Sequence, residues 1–184
     1  VSNINPYLIS GKDIILTKRR TAICTVPEIS FGSMPNDGGN LILSNNEKEE
    51  LTAKYPGSIE YIKPLLSAHE FLNGEKRWCL WLTKANPSSI KDFPEIVSRI
   101  QAVKDHRNKS TREATKKLSA YPSIFAEIRQ PTSDYVLIPR HSSENRDFIP
   151  IGFFSQYFIA SDSCLFVANA QNFHFGILTS RMHM

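Results

Sequence analysis

The chain of 184 residues is 41% hydrophobic and 22% charged, a globular rather than a disordered composition, and its length suits one domain with a sizeable core. Its net charge of +4 permits an anionic partner without requiring one. No apolar run nears the ~20 residues of a membrane span and no signal-peptide pattern opens the chain, so no membrane partner is expected.

Residues 4–43 read as short extended pieces broken by turns, made basic by Lys12, Lys18, Arg19 and Arg20. Within them, residues 31–39 run Phe-Gly-Ser-Met-Pro-Asn-Asp-Gly-Gly. Such a stretch propagates neither helix nor strand, because Gly, Asn and Asp tolerate positive φ. Asn36, Asp37, Gly38 and Gly39 therefore predict a shaped loop anchored by the apolar Leu41-Ile42-Leu43, either presenting groups to a partner or merely connecting two elements. Ser44 followed by Glu47, Glu49 and Glu50 predicts a helix start, with an end at Pro56-Gly57. A second short helix is expected over 59–66 and a buried strand over 77–82.

A longer helix is expected from Phe93, where Ile96, Ile100 and Val103 form a core-facing stripe. It fades into a basic stretch in which Ser110 and Glu113 form a possible capping box, giving one bent helix or two in succession. Strands are expected over 124–128, 135–138, 148–154 and 164–167, and a helix over 172–184. The strand–helix alternation of a doubly wound sheet is missing. The expectation is one α/β (α+β) domain, 1–184, with a single mixed or antiparallel sheet and flanking helices. The chain opens on Val1 and closes on Met184 inside a helical pattern, so it is expected to be a piece of a longer polypeptide.

Several patterns invite chemical readings and most fail. The three cysteines, Cys24, Cys79 and Cys164, lack a CxxC spacing and sit among apolar neighbours, which predicts buried thiols of a reducing cytosol rather than disulfides or a metal site. Asn5-Pro6-Tyr7 is one proline short of the adenine methyltransferase motif and no glycine-rich cofactor loop precedes it. Cys79, Ser142, Ser143, His141, His174 and Asp162 sit in no turn that would expose a nucleophile, so no catalytic residue is assigned. His174 and His183 are expected to pack helices, and His69 to lie at a helix end.

Two regions carry more. Lys104, Arg107, Lys109, Arg112, Lys116 and Lys117, together with Arg99, face only Asp105 and Glu113. Lys109, Arg112 and Lys116, at i, i+3 and i+7, would share a helix face suited to phosphates, or form an ordinary solvated surface. The polar segment 138–147 offers Arg140, His141, Glu144 and Asn145 on a loop, and Asp162 and Ser163 follow in a second polar turn. Arg suits guanine acceptors, Asn adenine, and a carboxylate the cytosine amino group. Arg140 and Asp162 would meet at one sheet edge if their strands are neighbours, to read one G·C pair or to make a surface ion pair.

At these residues the chain resembles the target recognition domain of MmeI-like (Type IIL/IIG) restriction-modification enzymes. The resemblance is carried by Asn5-Pro6-Tyr7-Leu8, Met34-Pro35-Asn36-Asp37-Gly38-Gly39, Ile62-Lys63-Pro64-Leu65, Arg77-Trp78-Cys79-Leu80-Trp81 and Glu127-Ile128-Arg129-Gln130-Pro131. It continues through Ile138-Pro139-Arg140, Ser142-Ser143-Glu144, Phe148-Ile149-Pro150-Ile151-Gly152-Phe153, His174-Phe175-Gly176 and Met182-His183-Met184. It implies a bacterial, cytoplasmic module that recognises double-stranded DNA and directs N6-adenine methyltransferase and nuclease domains of the same polypeptide. It also implies that S-adenosylmethionine is bound by the methyltransferase part, with no cofactor or metal in this segment, and it places base-reading residues near Arg140 and the Asp162-Ser163 pair. The alternatives are a protein–protein interaction domain whose basic face docks an acidic partner, and a free-standing hydrolase.

Overall fold

A computed structural model describes residues 3–13, 15 and 17–181. Strand β1 (Ile29–Phe31) leads through the glycine loop to β2 (Ile42–Leu43) and helix α1 (Asn45–Lys54). Ser44 caps α1: its hydroxyl accepts the Glu47 amide and the Glu47 carboxylate accepts the Ser44 amide, which satisfies two of the helix's orphan donors. After a 3-10 turn (Pro56–Tyr61) come β3 (Ile62–Leu66), α2 (Ala68–Asn73), β4 (Arg77–Leu80), α3 (Pro87–Ile90), α4 (Pro94–Asn108) and α5 (Glu113–Lys117). A second 3-10 turn (Leu118–Ala120) precedes β5 (Tyr135–Pro139), β6 (Gly152–Phe154), β7 (Ile159–Ala160), β8 (Cys164–Ala168) and α6 (Asn172–Leu178).

The α/β class holds, but the strands form two four-stranded sheets rather than the single sheet expected. Their orders are β1-β8-β5-β6, fully antiparallel, and β2-β4-β3-β7, in which β7 runs parallel to β3. Each sheet has its own core. Leu41, Leu43, Leu51, Ile62, Leu80, Ile96, Val103 and Phe125 fill the one around the second sheet; Tyr135, Leu137, Ala160, Cys164 and Phe166 fill the other. Ile96 and Val103 are fully buried on α4 with Ile100 packed beside them, as the stripe predicted.

Some expectations fail for identifiable reasons. Residues 62–66 are strand rather than helix, because Ile62–Leu66 pairs with β4 on one side and β7 on the other. Residues 124–128 form no strand: one bridge, Met34 to Glu127, is their ladder. The 148–154 strand begins at Gly152, and the last helix covers Asn172–Leu178, with 182–184, His183 included, outside the described residues. Cys79 and Cys164 are buried on β4 and β8, but Cys24 lies in the basic stretch before β1 and is exposed. The basic stretch is two helices, and Ser110 with Glu113 is no capping box. Arg112 is the N-cap of α5 without a side-chain cap bond, and the Ser110 hydroxyl instead accepts the Arg112 amide at 3.1 Å.

One of the passages between the sheets is a three-residue crossing. β7 belongs to the second sheet and β8 to the first, so Ser161, Asp162 and Ser163 carry the chain between them. The crossing is held by main-chain bonds: Ser161 N to Leu66 O (2.9 Å), Asp162 N to Ser33 O (3.0 Å), Ser33 N to Ala160 O (2.7 Å) and Cys164 N to Ser161 O (2.9 Å). Gly32 must be glycine here, since a β-carbon would lie 2.1 Å from the Ser161 carbonyl oxygen.

Candidate nucleic-acid interface

The sheet crossing mounts the first group of polar residues. β5 and β8 are antiparallel neighbours with Pro139 opposite Cys164, so Arg140 and the 161–163 turn emerge at the same edge. The Arg140 amide donates to Ser163 O (3.1 Å), and its exposed guanidinium donates through Nη1 to Asp162 O (3.1 Å). The two residues therefore do meet, but through a backbone carbonyl. Among the described residues no ion pair joins Arg140 to the Asp162 carboxylate, which accepts from the Ser161 hydroxyl at 3.3 Å. The ordinary ion-pair alternative is thus not what places them side by side, and the carboxylate keeps acceptor capacity for another group.

The Arg140 guanidinium also lies over the ring of Phe31, 5.0 Å from its centroid, and Arg129 lies 5.8 Å from the same ring. Phe31 is 47% exposed on the edge strand β1, so both cations stack on an aromatic open to solvent. Arg129 is also ion-paired to Glu127. Sequence reasoning missed Phe31 and Arg129; the faint signal was an aromatic immediately before a glycine that backbone contact demands.

The other edge residues divide. Ser163 uses its hydroxyl structurally, accepting the Ala68 amide at the start of α2 (2.9 Å) and sharing a 3.2 Å contact with the Ser161 hydroxyl. His141, Glu144 and Asn145 stand exposed in the loop after β5, and among the described residues their side chains make no hydrogen bond or ion pair.

The basic segment is reorganised more deeply. Arg107, expected at a phosphate, is fully buried, and all five of its N–H donors are taken by main-chain carbonyls. Nε reaches Asn36 O (3.0 Å); Nη1 reaches Leu118 O (3.1 Å) and Tyr121 O (2.8 Å); Nη2 reaches Pro35 O (3.0 Å) and Ile124 O (2.8 Å). Burial pushes the guanidinium below its ordinary pKa, while the nearby Asp37 carboxylate acts in the opposite direction. Position 107 was legible in hindsight, because it continues the stripe of Ile96, Ile100 and Val103 by one more helical turn. Arg99 is likewise structural, paired with Glu47 at 2.6 Å and donating to Asn40 O.

Lys109, Arg112 and Lys116 do not share a helix face. Lys109 caps the end of α4, Arg112 precedes α5, and Lys116 within α5 pairs with Glu113 at 3.0 Å. Lys104, Lys109, Arg112 and Lys117 are exposed and have no ion-pair partner among the described residues.

The glycine loop takes the predicted conformation. Gly38 (φ 64°) and Gly39 (φ 84°) are both left-handed, as is Asn36 (φ 43°). Asp37, however, is buried and turned inward, its carboxylate accepting the amides of Gly39 (3.0 Å) and Leu41 (2.5 Å), so it presents nothing to a partner. Asn5-Pro6-Tyr7 is a surface turn in which the Asn5 side chain accepts the Tyr7 and Ile9 amides. Among the described residues no three His, Cys, Asp or Glu side chains are placed to hold a metal ion, and no helix is long and apolar enough to cross a membrane. Burial raises the Cys79 thiol far above its ordinary value and pushes Cys164 up to about 12, which makes both poor nucleophiles.

Fold and surface together define a mixed α/β domain whose distinctive chemistry sits on the outside, at a sheet crossing and a cationic corner. Residues 10–184 match the family model described as MmeI, target recognition domain, and the chain belongs to that family. A curated relative, DNA methyltransferase A of Bacillus subtilis (strain 168), is 41% identical over all 184 residues, which span 21% of that relative's length. A solved structure of the Type IIL restriction-modification enzyme MmeI in complex with DNA is 40% identical, with a TM-score of 0.87 over 99% of this chain and 24% of that one.

Proposed function

We propose that this chain is the DNA-reading module of a bacterial, cytoplasmic restriction-modification enzyme, directing adenine-N6 methylation, and cleavage where a nuclease accompanies it, by domains elsewhere in the same polypeptide. The observation that carries this reading is the Arg140–Asp162 edge in a chain of this family. A guanidinium and a half-buried carboxylate leave one sheet edge together, with main-chain bonds fixing both. Arg140 would donate to guanine O6 and N7 and Asp162 would accept from the paired cytosine amino group. His141, Glu144 and Asn145 would reach neighbouring bases, and Lys104, Lys109, Arg112 and Lys117 would contact phosphates. S-adenosylmethionine would be held by the methyltransferase part of the polypeptide.

The test is the pair of substitutions Arg140→Ala and Asp162→Asn in the protein as encoded, with methylated sites mapped genome-wide. A changed base preference at one target position is expected, with a penalty of ~1–3 kcal/mol for the original base. Unchanged sites with lowered stability alone would refute the assignment. Duplex binding that ignores salt would favour docking to an acidic protein instead.

A further inference from the structure

The corner between α4 and α5 forms an open hollow of about 350 Å³ lined by Asn36, His106, Lys109, Ser110, Arg112 and Thr115. Its lining includes Lys109 and Arg112 and no carboxylate, in contrast to the larger groove walled by Glu47, Glu50 and Glu95. Asp105 accepts from Gln101 and Glu113 pairs with Lys116, and among the described residues neither acid forms an ion pair with Lys109 or Arg112. Ser110 and Thr115 add hydroxyls, and His106 adds a ring nitrogen at the wall facing Gly38.

The walls are fastened from beneath. Arg107 ties Pro35 and Asn36 of the glycine loop to Leu118, Tyr121 and Ile124, so the loop side and the helix side of the hollow are joined by one buried guanidinium. Gly38 has no β-carbon, and one would lie 2.7 Å from His106 Nδ1, so glycine lets the ring close against the loop. A preformed, cation-lined, hydroxyl-bearing pocket matches a tetrahedral oxyanion. Its position also suits DNA. Ser33 bridges Ser161 beside Asp162, and three residue steps, at most ~11 Å, lead from Ser33 to Asn36 at the hollow.

We infer that this hollow seats one backbone phosphate of the target duplex, with Lys109 and Arg112 as its charged ligands, within one helical turn of the base pair at the Arg140–Asp162 edge. The inference rests on the DNA-reading proposal and adds the place where the duplex is gripped. Lys104 and Lys117 lie outside the pocket and serve as charge-matched controls.

The experiment uses the protein as encoded and target duplexes carrying a single uncharged methylphosphonate, moved one position at a time over a helical turn on each side. One or two adjacent positions should weaken wild-type binding about tenfold. Lys109→Ala/Arg112→Ala should abolish that sensitivity there while keeping the base preference, and should lower the salt slope by about one. Lys104→Ala/Lys117→Ala should keep the sensitive position. Methylphosphonate effects of equal size in wild type and the Lys109→Ala/Arg112→Ala variant would overturn the pocket while leaving base reading intact. Competition by inorganic phosphate without any sensitive backbone position would likewise overturn it, marking a free-anion site. A wild-type protein with no target-duplex binding would overturn both proposals.

Discussion

Arg107 offers the sharpest test of how this domain is held. Its guanidinium is fully buried and places five donors on five carbonyls drawn from two separate stretches of chain, 35–36 and 118–124. Lysine would keep the charge, but its three donors radiate from one nitrogen and cannot reproduce the planar fork. At least two of the carbonyls would then lose their donor. Each buried unsatisfied acceptor costs ~1–3 kcal/mol, so Arg107→Lys should destabilise by ~2–6 kcal/mol. Arg107→Met frees all five carbonyls but also removes the cost of burying a charge, which sets the expected loss at ~3–5 kcal/mol. For a domain of this size each kcal/mol lowers Tm by ~2–4 °C, so both variants should melt well below wild type in a thermal scan. Hydrogen exchange should localise the damage to the amides of residues 34–36 and 118–126. An Arg107→Lys protein within ~0.5 kcal/mol of wild type would refute the clamp.

The Ser44 amide, followed by Arg99, holds the Glu47 carboxyl at about 2, below its ordinary 4.5. Its contribution is therefore complete above pH ~4.5 and is lost as pH falls toward 2; Glu47→Gln should remove that acid dependence and cost ~1 kcal/mol at neutral pH, allowing for solvent screening of a part-exposed group. Gly38→Ala should destabilise more than Gly39→Ala in urea titrations. Both lose a left-handed glycine, at ~1–2 kcal/mol, but only at 38 does the new methyl strike His106. Under native conditions a thiol reagent followed by peptide mass mapping should modify Cys24 and spare Cys79 and Cys164, the pattern expected from exposure and from thiols held protonated by burial.

Much of the framework was legible where local chemistry is decisive. Ser44 and Glu47 mark the start of α1, and three apolar residues at helical spacing mark the buried side of α4. Residues 59–66 misled because short apolar runs fit helix and strand alike, and only pairing on both sides of Ile62–Leu66 decides between them. The split into two sheets was invisible because it depends on a three-residue turn changing partners between β7 and β8. For the surface, Arg140 and Asp162 emerge at one sheet edge as strand adjacency would have it, while Arg107 was misplaced, since charge says nothing about depth. Position along the α4 stripe does.

The crossing at Ser161–Ser163 has a consequence for how such a domain changes over generations. Its geometry is fixed by amides and carbonyls, and by the absence of a side chain at Gly32. Among the described residues the Asp162 side chain bonds its neighbour Ser161 alone, and the Arg140 side chain leans on a carbonyl and an exposed ring. The main-chain bonds that route the crossing run between other atoms than these two side chains. On the proposed reading, positions 140 and 162 are a socket into which other hydrogen-bonding side chains could be exchanged while the backbone keeps its path.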